Sequence, residues 1–258
     1  MQGHKAIIIG SGVAGLASAI RLAVQGYEVV VVERNSYPGG KLSLIEKEGF
    51  RFDAGPSLFT QPQNIEELFV DAGENIADYF EYDSVPVSCK YFYDDGKILN
   101  AYTNAEQFDE ELQQVMGEQK GAVRSYLSKS EQLYKSIGTV FLNHSLHKRK
   151  TWLRPAILTA LKNVRLPYLF GTLHAYNQKQ FTNPHTVQLF NRFATYNGSN
   201  PYETPGMMSL IPHLELNEGT FYPKGGMISI TNALYRLAVK KGVQFRFNCS
   251  VQHIIHHQ

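Results

Sequence analysis

The chain has 258 residues, 43% of them apolar, and 25 Lys and Arg against 23 Asp and Glu give a formal net charge of +2. This composition suits one large or two modest folded domains with an ample core and excludes a low-complexity chain. Cys89 and Cys249 are too few and too far apart to build a disulfide framework and suit a reducing cytosol. No apolar run has the length of a membrane span, and Ala6–Ile9 is too short for a secretory leader, so a cytoplasmic location is expected.

The run Ile7-Ile8-Ile9 reads as a buried parallel strand, and Gly10-Ser11-Gly12-Val13-Ala14-Gly15 follows it directly. Gly10 makes the tight turn. Gly12 lets the backbone approach a pyrophosphate, and Gly15 lets the next helix pack on the strand. That helix is expected over 13–25, its N-terminus facing the phosphates, with Gly26 ending it. A second strand, Val29-Val30-Val31-Val32, ends at Glu33, whose carboxylate is placed to accept ribose hydroxyls and to repel a 2′-phosphate. Strand, helix, strand and terminal acid in this order define an adenine-dinucleotide site. Arg34 follows, and then Pro38-Gly39-Gly40-Lys41, in which Lys41 can face a phosphate. A further tight turn comes at Asp53-Ala54-Gly55-Pro56-Ser57. Two glycine-bearing turns after Glu33 favour FAD over NAD as the cofactor.

Beyond this point Asn64 is expected to cap a helix over 65–72 that Gly73 stops. Asp94-Asp95-Gly96 marks a hairpin between runs at 85–93 and 97–102. Asn104 caps a helix over 105–116, with Gln107 placed for a capping box. Longer helices are expected over 122–141 and 184–196. Another spans 228–240, and strands follow at 244–248 and 251–255. The chain thus leaves the nucleotide domain near Ser84 and returns near Gly219, giving a discontinuous FAD-binding domain (1–83 and 219–258) around an inserted α+β substrate domain (84–218). From Gln132 to Tyr202 there are nine cations and no Asp or Glu. Its 144–170 part interleaves those cations with large apolar and aromatic residues, which reads as an interfacial membrane element or as an amphipathic face of the domain. Nothing resembles a nucleic-acid-reading module, so no nucleic acid partner is expected.

These motifs together resemble the bacterial-type phytoene desaturases and their carotenoid desaturase and isomerase relatives, within the flavin amine-oxidase-like superfamily. The resemblance rests on Gly10 to Leu16, Glu33-Arg34, Pro38-Gly39-Gly40-Lys41 and Phe52 to Ser57. It extends to Tyr196-Asn197-Gly198-Ser199-Asn200-Pro201 and Phe221-Tyr222-Pro223-Lys224-Gly225-Gly226-Met227. It runs over nearly the whole chain but over only the N-terminal half of such an enzyme. It implies a Rossmann-like FAD-binding domain with an inserted substrate domain, here truncated. It also implies that the strand carrying Val251 lies beside the adenine and that Gly225-Gly226 starts a helix near the cofactor. Lys41 stands where the family more often has Arg, which keeps the charge and loses the bidentate fork.

The implied activity is FAD-dependent desaturation of a carotenoid precursor such as phytoene, by a peripherally membrane-associated enzyme. The expected cofactor contacts are Gly10, Ser11, Gly12, Val13, Ala14, Gly15, Glu33, Arg34, Gly40, Lys41, Gly55, Pro56, Ser57 and Val251. No residue is assigned to the chemistry itself. His144 and His147 lack acidic co-ligands, so no metal is expected. Three alternatives stand beside this reading: a non-catalytic dinucleotide-binding fragment, a flavin amine oxidase and a carotenoid isomerase.

Overall fold

The computed structural model describes residues 4–138, 147–148, 168 and 171–255. The basic segment 144–170 therefore lies almost wholly outside the described residues. The chain divides into two compact units, Met1–Ser84 with Phe221–Gln258, and Val85–Thr220. The first opens with β1 (Lys5–Ile9), α1 (Val13–Val24) and β2 (Glu28–Val32). A hairpin of β3 (Ser43–Lys47) and β4 (Phe50–Ala54), then α2 (Gln63–Asp71) and β5 (Tyr82–Ser84), follow. The second unit holds β6 (Val87–Phe92), β7 (Ile98–Tyr102), α3 (Ala105–Met116) and α4 (Ala122–Leu133). It continues with α5 (Leu173–Gln178) and α6 (Pro184–Asn191). The chain then returns to the first unit with β8 (Phe221–Pro223), α7 (Ile228–Lys240) and β9 (Gln244–Arg246).

In the first unit β2 lies between β1 and β9, and all three strands run parallel. Helix α1 turns Leu16, Ala19 and Ile20 inward at the i, i+3, i+4 spacing of an amphipathic face. They form one core with Val29 and Val31 of β2 and with Ala233, Leu234 and Leu237 of α7. Gly26, at φ +87°, ends α1 as its position requires. β5 pairs antiparallel with β8, and the Phe59, Tyr82 and Phe221 rings meet edge-on nearby, Tyr82 lying 5.4 Å from Phe59 and 5.5 Å from Phe221.

β1 departs from the reading of a fully buried strand. Ile7 is 73% and Ile9 53% exposed. Parallel strands are normally covered on both faces, but among the described residues β1 is flanked by β2 alone, and only Ala6 and Ile8 reach the core.

In the second unit β6 and β7 form the expected hairpin, its turn closed by Gly96 at φ +82°. Leu99 and Ala101 pack with Phe108 and Leu112 of α3 and with Tyr126, Phe181 and Phe190. Helix α3 begins where the sequence places it. Asn104 accepts the backbone N–H groups of Glu106 and Gln107, both at 3.0 Å, and Gly117 closes the helix in the left-handed region.

Other boundaries shift. α2 starts at Gln63 because Pro62, with φ −57°, already holds a helical backbone and needs no donor. Asn64 therefore sits inside the helix rather than capping it. α4 passes after Leu133 into a π turn over Tyr134–Gly138. α6 tightens after Asn191 into a 3-10 turn over Arg192–Asn197, which Gly198 ends at φ +64°. The strand expected at 251–255 does not form. β9 runs out beside Val32 at Arg246, and Asn248 then turns the chain with φ +54°. Asn248 and Cys249 donate their N–H groups to the carbonyls of Asn35 and Glu33. The chain thus crosses the end of β2, and Ile254 and Ile255 emerge exposed. No helix among the described residues is long and apolar enough to cross a membrane.

Candidate functional site

The site is built at the C-terminal ends of β1 and β2. Gly10 turns the chain at φ +92° and donates its N–H to the Val32 carbonyl at 2.8 Å. A Cβ on Gly15 would stand 2.0 Å from the Gly10 carbonyl oxygen, so only glycine lets α1 pack this close to the loop. Gly12 is the N-cap of α1 and makes no side-chain cap bond, and the first turn carries no acid. The N–H groups at the start of α1 thus lack intrahelical partners, and the positive end of the helix is left for an anion. A Cβ on Gly12 would meet nothing within 4 Å, so the space over it is open.

The second glycine pair closes on the first. Gly39 donates to the Ser11 carbonyl at 2.9 Å and bridges Gly12 as a parallel neighbour. A Cβ on Gly40 would come within 3.3 Å of Gly12 Cα. The two loops are therefore in backbone contact, and a cavity opens on each side of them.

One cavity, of about 370 Å³, lies at the end of β2 and is walled by Gly10, Gly12, Glu33, Arg34, Gly40 and Val251, with Ile9, Val32, Asn35, Cys249 and Ser250 completing it. Glu33 is only 5% exposed. Its Oε2 accepts from the Ser11 N–H at 2.7 Å and the Ser11 hydroxyl at 2.8 Å, and its Oε1 accepts from the Asn35 N–H at 2.9 Å. Burial pushes the Glu33 carboxyl up. The hydrogen bonds from Asn35 and Ser11 and the charge of Arg34 outweigh it, so the net direction is down and the group is ionised. A carboxylate has about four acceptor positions; the three bonds from Ser11 and Asn35 use two on Oε2 and one on Oε1.

The other cavity, of about 480 Å³, is walled by Gly12, Val13, Ala14, Gly39, Lys41 and Pro56 on the loop side. Leu42, Phe59, Ile65, Met227 and Ile230 give it an apolar face, and Thr60, Gln61 and Asn64 a polar edge.

Of the residues singled out in the sequence, most therefore meet around this pair of cavities. Ser11 and Gly15 stand behind the walls, as partner of Glu33 and as packing surface. Gly55 and Ser57 do not line either cavity. Gly55 sits at φ +101°, where a Cβ would strike the Lys41 carbonyl oxygen at 2.1 Å, so glycine lets the two loops approach closely here. Ser57 is exposed. Val251 reaches the smaller cavity from an irregular segment, not from a strand. Asn35 was missed although it lies two residues after Glu33. Cys249 and Ser250 arrive through the turn at Asn248, for which the local sequence has no clear signal. In the segment at Tyr196–Pro201, the Tyr196 hydroxyl donates to buried Glu215 at 2.6 Å, and Arg192 reaches the same carboxylate at 2.6 Å.

A parallel βαβ unit with an uncapped helix N-terminus and a buried acid at the end of β2 defines the dinucleotide-binding class. Residues 13–258 match the flavin containing amine oxidoreductases, and the chain belongs to that family. It is 46% identical to a 1-hydroxycarotenoid 3,4-desaturase of Flavobacterium sp. (strain P99-3), over 98% of this chain and 51% of that protein. It is 32% identical to a 4,4'-diapolycopene oxygenase of Methylomonas sp., over 97% of this chain and 50% of that protein. The fold is shared with cyclohexylamine oxidase from Brevibacterium oxydans IH-35A (TM-score 0.56, 18% identity, 94% of this chain and 51% of that one). The chain spans about half the length of the curated relatives it matches. Family membership makes the cofactor a flavin, FAD in a dinucleotide-binding fold.

Proposed function

We propose that this chain is the nucleotide-holding part of an FAD-dependent oxidoreductase that desaturates a carotenoid, with a precursor such as phytoene as the narrower substrate class. The observation that carries this reading is the pair of cavities flanking the Gly12 backbone, with the bare N-terminus of α1 between them. The smaller cavity takes the adenosine. Glu33 Oε1 accepts a ribose hydroxyl, and Val251 and Ser250 flank the base. The pyrophosphate crosses Gly12, where no side chain intervenes, and meets the N–H groups of Val13 and Ala14, with Lys41 as counter-charge. The larger cavity receives the flavin end, and its Leu42, Phe59 and Met227 wall excludes water from that side.

The chemistry FAD supplies when bound is acceptance of a hydride from an allylic carbon, with loss of a neighbouring proton completing the new double bond. The residues of this chain bind, orient and dry the cofactor. The substrate assignment is supported by the carotenoid-acting names of the two relatives. The second unit is assigned to the substrate, and the basic 144–170 segment to an anionic membrane surface, from its sequence alone.

Purified protein is expected to show a flavin absorption band near ~450 nm and to bind both ADP and FAD in a calorimetric titration. Absence of binding to either nucleotide would overturn the assignment. Carotenoid turnover in liposomes tests the substrate class. Liposome binding that survives reversal of Lys148, Arg149, Lys150 and Arg154 to Glu would count against the membrane assignment.

A further inference from the structure

Asp53 belongs to the second glycine-bearing turn, yet its carboxylate is not spent on the cavity. Its Oδ1 accepts the Met227 N–H at 3.0 Å, at the very start of α7, and its Oδ2 accepts the Tyr222 hydroxyl at 2.8 Å. A carboxylate at a helix N-terminus is favourably placed. Gly226, at φ +88°, makes room for it: a Cβ there would approach Asp53 Oδ1 to 2.9 Å. One side chain thus joins the end of β4 to β8 and to the N-terminus of α7. A second tie lies one turn on, where the Thr231 hydroxyl donates to the Leu42 carbonyl at 3.0 Å. Pro56 follows Asp53 by three residues, and Met227 is the residue it holds; both are walls of the larger cavity, with Ile230 beside them. None of these groups lines the smaller cavity.

We propose that Asp53 is a positioning residue for the flavin-side cavity, fixing the N-terminus of α7 so that Met227 and Ile230 face Pro56 across the space that receives the flavin end. This rests on the reading of the cavity pair as an FAD site. It separates two halves of that site: contacts with the adenosine end do not pass through Asp53, and contacts with the flavin end do.

The test is calorimetric titration of the chain with ADP and with FAD, alongside thermal melting. Asp53→Ala is expected to weaken FAD by about tenfold, the scale of losing one or two hydrogen bonds, while ADP affinity stays within about twofold. Asp53→Asn is expected to restore FAD binding, because its carbonyl still accepts from Met227 and its amide donates to the Tyr222 oxygen. Tyr222→Phe removes one bond of the two and is expected to give an intermediate loss. If Asp53→Ala does not fold, the Asn and Phe variants carry the test. Equal weakening of ADP and FAD, or no weakening of either, would overturn the proposal. So would an Asn variant that binds FAD less tightly than the parent. Parent protein that binds ADP and not FAD would overturn it while leaving the adenosine assignment intact. Parent protein that binds neither would remove the functional reading and this proposal together.

Discussion

At the scale of single residues the decisive group is Glu33. It is buried, ionised and held by three donors from Ser11 and Asn35. Its folded pKa lies below the ordinary 4.5. It therefore contributes stability above that value and loses it as pH falls through the folded value. Glu33→Gln places an amide NH2 where a carboxylate oxygen accepted, so donors from Ser11 or from Asn35 face another donor. The expected cost is ~1–3 kcal/mol of stability and a loss of about tenfold or more in ADP affinity, read by melting and by calorimetry. A variant with unchanged affinity would remove Glu33 from the ribose site. The position of Glu33, at the end of β2 and beside the glycine loop, was legible from the apolar run before it and the strand-helix-strand order around it. Gly55 shows the limit. The turn asks for a glycine, and nothing local says that its close neighbour is the Lys41 carbonyl.

At the scale of elements, the start of α3 was legible in its capping side chain, whereas the start of α2 is set by the backbone of Pro62 and falls earlier than expected. Asn104 satisfies two N–H groups of α3 through its own oxygen. Asn104→Ala is expected to cost about 1 kcal/mol in a denaturant titration. Asn64 has the same chemistry two residues past the capping position, since Pro62 has already set the helical turn of α2. Pairing between distant elements left no local trace at all. Glu74, just past α2, accepts from Lys240 and Lys241 of the α7 end at 2.7 and 2.9 Å. Those bonds, led by Lys240, pull its carboxyl down to about 2. Because the folded value lies below the unfolded 4.5, this tie is intact above pH 4.5 and is lost as pH falls toward about 2. Thermal midpoints measured across that window are expected to fall, and Glu74→Gln is expected to flatten the fall while lowering the midpoint at neutral pH. An unchanged acid limb in the variant would show that the tie contributes nothing.

At the scale of the whole molecule, the nucleotide-binding unit was readable as a class and its sheet only in part. The period and order of Ile7–Ile9, Gly10–Gly15 and Val29–Glu33 specify a parallel βαβ unit, and the structure has it. Those residues do not specify what covers the second face of β1, because that depends on chain far away in sequence. Among the described residues β1 has one neighbour, β2, and Ile7 stands 73% exposed. A parallel strand rich in β-branched residues with a free edge and a bare apolar side chain is a template for association. The chain alone is therefore expected to self-associate with rising concentration, as read by light scattering. Ile7→Lys places a charge on that face without touching the core beneath Ile8. It is expected to suppress the association while leaving the melting free energy within about 0.5 kcal/mol of the parent, as for a surface change. Hydrogen exchange should report the same face, with the Lys5–Ile9 amides exchanging faster in the variant than in the concentrated parent. Scattering that does not depend on concentration in the parent, or an Ile7→Lys protein that associates as strongly, would show that β1 is not the contact.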